Sequence, residues 1–324
     1  MSKEKKLLLF SALFMILYTV FQMFYVYYFS KQYILLNTIG FILGILGSIV
    51  FIYYSVSKVD LSKRRLSIFL ISILFIVLNV ISGIISLFAY KNIEKKDLRE
   101  LPKLDIMKNY KWYIYILVLV VYFVIAFTDI INNLISNKYQ YYLLNIFVIV
   151  FLVFVFRKDL KRDFKLFIKY FKEYNLVLLK MYGLSLITLV ALSLLIRFIT
   201  GIDNATNQVV LNSLFKQNPL LLSFLAIIYA PITEEIIFRG VFRKLINNKW
   251  IFIFVSGFLF GLAHVIDDFQ SVKELLYIFV YGSLGCYLAA TYYKTNNMFT
   301  NICFHFLQNT FAITVMYLLS IFNI

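Results

Sequence analysis

The sequence has few of the residues from which soluble enzymes build their active sites. Its 324 residues include only 2 histidines, 2 cysteines and 3 prolines, and 32 basic residues outnumber 16 acidic ones. Cys286 and Cys303 lie in apolar runs without CxxC spacing, which argues against a disulfide framework or a zinc-thiolate site. The chain is instead 62% hydrophobic with a mean hydropathy of +0.85, which is typical of a polytopic membrane protein.

The apolar runs are continuous, whereas transmembrane barrel strands alternate over segments of about 10 residues. A membrane-spanning helix needs about 20 apolar residues. The predicted fold class is therefore all-α, a polytopic transmembrane helical bundle of about 8–10 spans. The sequence contains ten candidate spans, of which 141–156 and 250–266 are short. The candidate spans are 7–29, 33–56, 66–90, 112–135, 141–156, 176–200, 220–238, 250–266, 272–292 and 298–321.

The net charge of +16 would suggest nucleic acid only on a soluble protein. Here the basic residues cluster between spans, as cytoplasmic loops do, and they can contact anionic lipids. The basic loops 157–175 and 239–249 are therefore expected in the cytoplasm, and the acidic pair Asp267 and Asp268 outside. Counting spans back from there puts the basic stretches 3–6 and 58–65 outside as well, which breaks the rule. We expect one N-terminal segment to be miscounted, for example because it is re-entrant.

Composition divides the chain into three predicted regions. Residues 1–156 form an N-terminal membrane extension, 157–200 an amphipathic cytoplasmic segment plus one span, and 201–324 a C-terminal core, which contains the motif residues described below. In 157–175, apolar residues at helical spacing predict a helix lying on the membrane face. The bias towards Lys, Ile, Asn, Phe and Tyr suggests an AT-rich genome, so we expect a multi-pass protein of a bacterial cytoplasmic membrane.

Two adjacent acids, Glu234 and Glu235, lie within an apolar segment, "APITEEIIFRG". Acids in the hydrocarbon region are costly and survive where they pair or face a cavity. Glu235 and Arg239 are four residues apart, so they share a helical face and can pair. Glu234 points about 100° away and needs another partner. Pro231 predicts a kink just before the acids.

Both histidines of the chain, His264 and His305, lie on apolar segments, and Asn309 follows His305 by one helical turn. They are either scattered packing residues or, with Glu234, one polar site. A carboxylate and an imidazole can activate water, and a second imidazole with a carboxamide can stabilise an oxyanion. Glu and two His could also bind zinc, but HExxH is absent, so we expect no cofactor and rank zinc second.

These residues resemble the motifs of the CAAX protease and bacteriocin-processing (Abi) family of intramembrane glutamic endopeptidases. EExxxR matches Glu234, Glu235 and Arg239, FxxxH matches Phe260 and His264, and HxxxN matches His305 and Asn309. The resemblance covers about residues 200 to 315. It implies that Glu234 and His264 activate the attacking water, that His305 and Asn309 form the oxyanion site, and that Glu235, Arg239 and Phe260 support them.

The resemblance implies an intramembrane endopeptidase that acts on a peptide or membrane protein, in a bacteriocin, pheromone or self-immunity context. The first alternative is a non-proteolytic scaffold or immunity protein that modulates a sensor kinase. The second is a proton-coupled transporter, although transporters often show internal repeats and this sequence shows none. The expected partners are the substrate, the lipid bilayer and, in the scaffold alternative, a sensor kinase, and nucleic acid is not expected.

Overall fold

The computed structural model describes residues 1–27, 34–93, 99–102, 104–127, 138–202, 205–266 and 270–321. The chain is 87% helical, and no β-strand occurs in these ranges, which confirms the all-α prediction. Six helices are long and apolar enough to cross a membrane, and three shorter apolar helices accompany them among the described residues. The acidic pair Asp267 and Asp268 lies outside the described residues.

Contacts divide the chain into two compact units, Met1–Arg99 and Glu100–Ile324. The first unit contains α1 (Lys3–Tyr25), α2 (Ile34–Val56), a short 3-10 helix (Leu61–Arg64), α3 (Arg65–Leu78) and α4 (Val80–Asn92). The structural division thus falls at residue 99, whereas the functional division at 156 and 200 stays a prediction. The core of this unit is apolar and includes Leu8, Ala12, Met15, Phe51 and Phe75.

The expected span 66–90 is not one helix. Asn79 has an extended backbone (φ −155°, ψ 109°), and its side chain accepts from Ser82 N at 3.0 Å, so it ends α3 and caps α4. The two helices form a hairpin. The guanidinium of Arg65, at the start of α3, lies 4.4 Å from the ring centroid of Tyr90 and donates to the carbonyl of Ile93, just past the end of α4. The hairpin therefore begins and ends on the same side of its unit.

This hairpin removes the charge conflict of the N-terminal region. Lys5 Nζ donates to Ser57 O at 2.6 Å, so the start of α1 and the end of α2 lie together. The basic residues at the start of α1, in the α2–α3 connection and at the end of α4 all lie at that one end, which the positive-inside rule assigns to the cytoplasm. The hairpin is thus the miscounted segment. Those basic residues are Lys3, Lys5, Lys6, Lys58, Lys63, Arg64, Arg65 and Lys91.

The second unit carries the motif residues. Its core joins apolar side chains of nearly all its helices, among them Phe156, Ile236, Phe238 and Phe260. The helices are α5 (Trp112–Phe127), α6 (Lys138–Val155), α7 (Arg157–Lys169), α8 (Phe171–Thr200), α9 (Thr206–Gln217), α10 (Pro219–Leu245), α11 (Lys249–Ala263), α12 (Tyr277–Thr295) and α13 (Met298–Ile321).

The predicted amphipathic segment is confirmed as a helix, α7, which ends at Tyr170. Its exposed apolar side chains are Phe164 and Ile168, followed by Phe171, while Phe167 packs inward against the rings of Tyr174 and Phe299. The lysines of this helix are exposed. This two-sided character fits a helix at the membrane surface.

Helices α11 and α12 pack backbone to backbone, as small residues permit in membrane helices. A Cβ on Gly257 would lie 2.3 Å from Cys286 Sγ, and one on Gly261 would lie 2.5 Å from the carbonyl oxygen of Ile278. Facing them, α12 presents Gly282 and Gly285. This close contact fixes the end of α11, where Phe260 and His264 lie.

Candidate active site

The motif helix α10 is interrupted by two π-helical segments, Phe224–Tyr229 and Glu235–Val241, with Ala230–Glu234 between them. Such segments are frequent at functional sites. The first accommodates Pro231, because Ala230 N donates to Leu225 O, five residues back. Pro231 has no N–H. The carbonyl of Ala226 would therefore lack a partner within its own helix.

Asn309 supplies that partner from α13. Its Nδ2 donates to Ala226 O at 2.7 Å, which uses one of the two amide hydrogens. Ser256 of α11 makes a similar contact with the second π segment, donating to Phe238 O at 2.7 Å. The expected kink at Pro231 is thus absorbed by a change in helical pitch, and neighbouring helices stabilise each irregular segment.

Glu235 is the centre of a buried polar network. Its Oε1 accepts from Arg239 Nη1 at 3.0 Å and from His305 Nδ1 at 2.9 Å. Its Oε2 accepts from Asn301 Nδ2 at 3.1 Å. Glu235, Arg239 and Asn301 have no exposed surface, and His305 is 2% exposed. Three charge-assisted or amide hydrogen bonds therefore satisfy this carboxylate and hold α10 against α13.

Arg239 and Asn301 extend the network to α12. Arg239 Nη2 donates to Gly285 O at 3.1 Å, and Asn301 Nδ2 also donates to Leu288 O at 2.8 Å. A buried charge is stable only when it is paired and hydrogen-bonded, and this pair meets both conditions. Asn301 was not among the predicted residues. Its signal in the sequence is the four-residue spacing of Asn301, His305 and Asn309 on one face of α13.

Phe260 brings the two histidines to the same place. Its ring centroid lies 4.5 Å from that of His264 and 5.8 Å from that of His305. The guanidinium of Arg239 lies 4.7 Å from the same ring. Phe260 is 1% exposed. The ring of this predicted supporting residue therefore lies buried between the charged network and His264.

The hydrogen bonds of the imidazoles indicate their tautomers. His264 Nδ1 lies 2.8 Å from the carbonyl oxygen of Phe260, and a carbonyl can only accept, so Nδ1 carries a proton. In a neutral ring the His264 Nε2 then has a free lone pair. Its ring also stacks on Tyr281 at 5.2 Å. His305 Nδ1 likewise donates to Glu235, so its own Nε2 faces away from that carboxylate.

Glu234 differs from its neighbour in its surroundings. Its Oε2 is buried and receives no hydrogen bond from any of the described residues. The side chain is half-buried, and Tyr122 of α5 lies beside it and beside Thr233. Because Glu235 is fully buried with a protein donor on each oxygen and Glu234 Oε2 has none among the described residues, Glu234 is the carboxylate available to accept a hydrogen bond from a water molecule.

The structure thus brings His305, Glu235, Arg239 and Phe260 into direct contact, with His264 against Phe260 and Asn309 against α10. Within the described ranges no group of three or more His, Cys, Asp and Glu side chains is placed to hold a metal ion. The zinc alternative stays a prediction, which metal analysis of the purified protein can test.

Residues 216–311 match the model of the type II CAAX prenyl endopeptidase Rce1-like family. The chain is 27% identical over 179 residues, 52% of its length, to UPF0177 protein YvdC of Lactococcus lactis subsp. lactis (strain IL1403). It is 28% identical over 116 residues, 35% of its length, to the putative membrane peptidase YdiL of Bacillus subtilis (strain 168). The matches span 65% and 43% of these relatives. No solved structure gives a significant match.

The C-terminal half of the chain is therefore similar to the type II CAAX prenyl endopeptidase Rce1-like family, which supports the resemblance to the CAAX protease and bacteriocin-processing (Abi) family. Its apolar helices make it a multi-pass membrane protein, and both relatives are bacterial, as the composition led us to expect. These matches support a membrane protease as the general class. The catalytic chemistry, the substrate and the sensor-kinase partner stay predictions.

Proposed function

We propose that this protein is an intramembrane endopeptidase that hydrolyses a peptide bond with a water molecule activated by Glu234 and His264. The observation that carries the proposal is the contrast between two adjacent carboxylates. Glu235 is saturated by Arg239, His305 and Asn301, whereas Glu234 Oε2 is buried without a protein donor. Such an acceptor can orient water and take its proton.

The two imidazoles fit complementary roles. With Nδ1–H held by the Phe260 carbonyl, His264 offers Nε2 as a second acceptor for the same water. His305, held on the buried Glu235 carboxylate, can present an Nε2–H to the oxygen of the tetrahedral intermediate when it is protonated. Asn309 has one amide hydrogen left beside its bond to Ala226, which it can offer to the same oxyanion.

The substrate we propose is a peptide or a membrane protein reached from within the bilayer. From the start of α13, His305 is seven residues along the helix, which corresponds to about 10 Å. Glu235 is ten residues from the end of α10, or about 15 Å. Both side chains thus lie below the membrane surface, where a scissile bond would have to enter. No metal step is required for this reaction.

The proposal is tested by comparing membrane and secreted peptides by mass spectrometry between strains. These strains carry wild type, Glu234→Gln or His264→Ala at matched protein levels. Glu100→Gln, the same chemical change on an exposed loop residue, serves as the control. We expect a product that forms with wild type and Glu100→Gln and is absent from the other two. Identical peptide profiles in all four strains, with the mutants still rescuing the deletion phenotype, would favour the scaffold instead.

A further inference from the structure

The amphipathic helix α7 buries its two acids and exposes its lysines. Asp159 is 4% exposed and Asp163 has no exposed surface. The two are four residues apart, so they lie on one helical face. Burying a carboxylate is costly unless it is paired or hydrogen-bonded. The hydrogen-bond partners of these two acids show which helices this face of α7 contacts.

Asp159 holds the end of the motif helix α10. Its Oδ1 accepts from Lys244 Nζ at 2.8 Å, and both side chains are nearly fully buried. Its Oδ2 accepts from Asn109 Nδ2 at 2.7 Å. Lys244 also donates to the carbonyl of Met107. The last turn of α10 is therefore fixed by α7 and by the segment that precedes α5.

Asp163 holds the start of α13. Its Oδ2 accepts from the backbone N–H of Met298, the first residue of that helix, at 2.7 Å. Its backbone oxygen accepts from Asn297 Nδ2 at 2.8 Å, while Asn297 Oδ1 caps Thr300 N at 2.9 Å. A carboxylate at a helix N-terminus is also favoured by the helix dipole.

We infer that Asp159 and Asp163 are positioning residues, which set the relative placement of the helices that carry Glu235 and His305. Lys244 is nine residues from Glu235, across the second π segment of α10, and Met298 is seven from His305, so the two clamps lie about 10–14 Å from the network on the same helices. The hydrogen bond between Glu235 and His305 depends on that placement. The expected effect of these residues on activity rests on the proposed function. Their expected effect on the geometry of the network does not depend on it.

The test uses the fact that the chain has only two histidines. Full-length protein labelled with [15N]histidine in detergent micelles gives two imidazole spin systems, and His264→Ala assigns that of His305. The variants are Asp159→Ala, Asp163→Ala and Asp163→Asn, which keeps an acceptor for the Met298 N–H. Lys165→Ala, on the exposed face of the same helix, is the matched control. Product formation is measured in parallel with the peptide that distinguishes wild type from Glu234→Gln.

We expect both alanine variants to shift the His305 nitrogen resonances and to reduce product formation about 10- to 100-fold, as a displacement near 1 Å does in an active site. Asp163→Asn and Lys165→Ala should resemble wild type. If Asp163→Ala does not fold, Asp163→Glu, which displaces the acceptor by one methylene, takes its place.

Unchanged His305 resonances in Asp159→Ala and Asp163→Ala would overturn the inference, even if product were lost. In that case the variants would contain less folded protein, but the folded molecules would keep the wild-type geometry at His305. Shifted resonances in a protein that forms no product even as wild type would support the positioning role. The same result would show that the proposed proteolysis is absent.

Discussion

The two units of this protein bury polar groups in opposite ways. Apart from Arg65, the buried polar residues described in the first unit are all serine or threonine. Most donate to a carbonyl one turn back in their own helix, as Ser48 does to Gly44 O and Ser72 does to Ile68 O, both at 2.7 Å. The second unit instead buries Asp159, Asp163, Glu173, Glu235, Arg239, Lys244 and Glu274.

This difference separates polar groups that fit any apolar helix from groups that need a particular neighbour. A hydroxyl can satisfy itself on its own backbone and demands nothing from other helices. A buried charge needs partners beyond its own backbone, and these include His305 on α13 for Glu235 and Lys244 on α10 for Asp159. The buried charges therefore mark the places where the relative position of helices matters.

The largest expected effect comes from removing one partner of the buried ion pair. Arg239→Met leaves the Glu235 carboxylate buried with His305 and Asn301 alone, and breaking such a pair typically costs 3–5 kcal/mol. A denaturant titration of the protein in detergent micelles measures this loss of stability as a lower free energy of unfolding. Lys172→Met, which removes an exposed charge, should change stability by less than about 0.5 kcal/mol. Equal effects of the two changes would contradict the assigned importance of the pair.

The second effect depends on pH and concerns Asp163. Burial raises the pKa of this carboxyl from its ordinary 3.8 to about 6, against the opposing influence of Arg162 and the Met298 N–H. The charged and titratable groups that act on it are Arg162, Asp159, Lys244, Tyr174 and Tyr292. Because the pKa is higher in the folded state, the favourable contribution of this group is present below pH 3.8 and is lost as the pH rises through about 6.

The corresponding measurement compares wild type with Asp163→Asn, which cannot ionise. Between about pH 3 and pH 7 the free energy of unfolding of wild type should fall relative to the variant by about 3 kcal/mol, at 1.36 kcal/mol per pKa unit. Above about pH 7 the difference should stay constant. Parallel stability curves over the whole range would show that Asp163 titrates as an exposed acid.

A smaller effect distinguishes a glycine packed against backbone atoms from one that faces only the end of a side chain. A Cβ on Gly261 would lie 2.5 Å from the carbonyl oxygen of Ile278 and 2.6 Å from Gly282 N, which are backbone atoms that cannot move alone. Gly261→Ala should therefore cost about 1–3 kcal/mol through overpacking, and it should also displace His264. Gly40→Ala in the first unit meets only the end of the Leu78 side chain at 3.3 Å and should be tolerated. Thermal unfolding of both variants tests this contrast.

The smallest effect is expected for a self-satisfied hydroxyl. Ser72→Ala removes a bond to Ile68 O, but that carbonyl keeps its helical partner, so the change should cost less than about 1 kcal/mol. Asn301→Ala removes a donor from both Glu235 Oε2 and Leu288 O and should cost clearly more. If Ser72→Ala were the more damaging of the two, the distinction between the units would fail.

Much of this architecture is readable from the sequence, because helix length and apolar content are local properties. The predicted spans 176–200 and 298–321 and the short span 250–266 follow from apolar length and correspond to α8, α13 and α11. The helix after Arg157 follows from helical spacing of its apolar residues. The prediction of one span over 66–90 missed the break at Asn79. An asparagine in an apolar run can lie inside one helix or cap the start of a second, and the sequence does not distinguish the two.

Several members of the buried polar network could be predicted from the sequence, but their arrangement could not, and their catalytic roles stay predictions. Motif spacing identified Glu235 with Arg239 and His305 with Asn309, but whether Glu235 bonds His305 depends on how α10 and α13 pack. The same is true of the contact between Asn309 and Ala226, which arises from a π segment that has no periodic signature. The burial of Asp159 and Asp163 could not be predicted, because both lie in a lysine-rich segment whose composition indicates a solvated surface.

The α3–α4 hairpin also limits how many times the first unit can cross a membrane. Among its described helices only α1 and α2 are long and apolar enough to do so, because α3 and α4 are short. Two crossings are an even number, which leaves both ends of the unit on one side. The unit therefore satisfies the positive-inside rule without a further span.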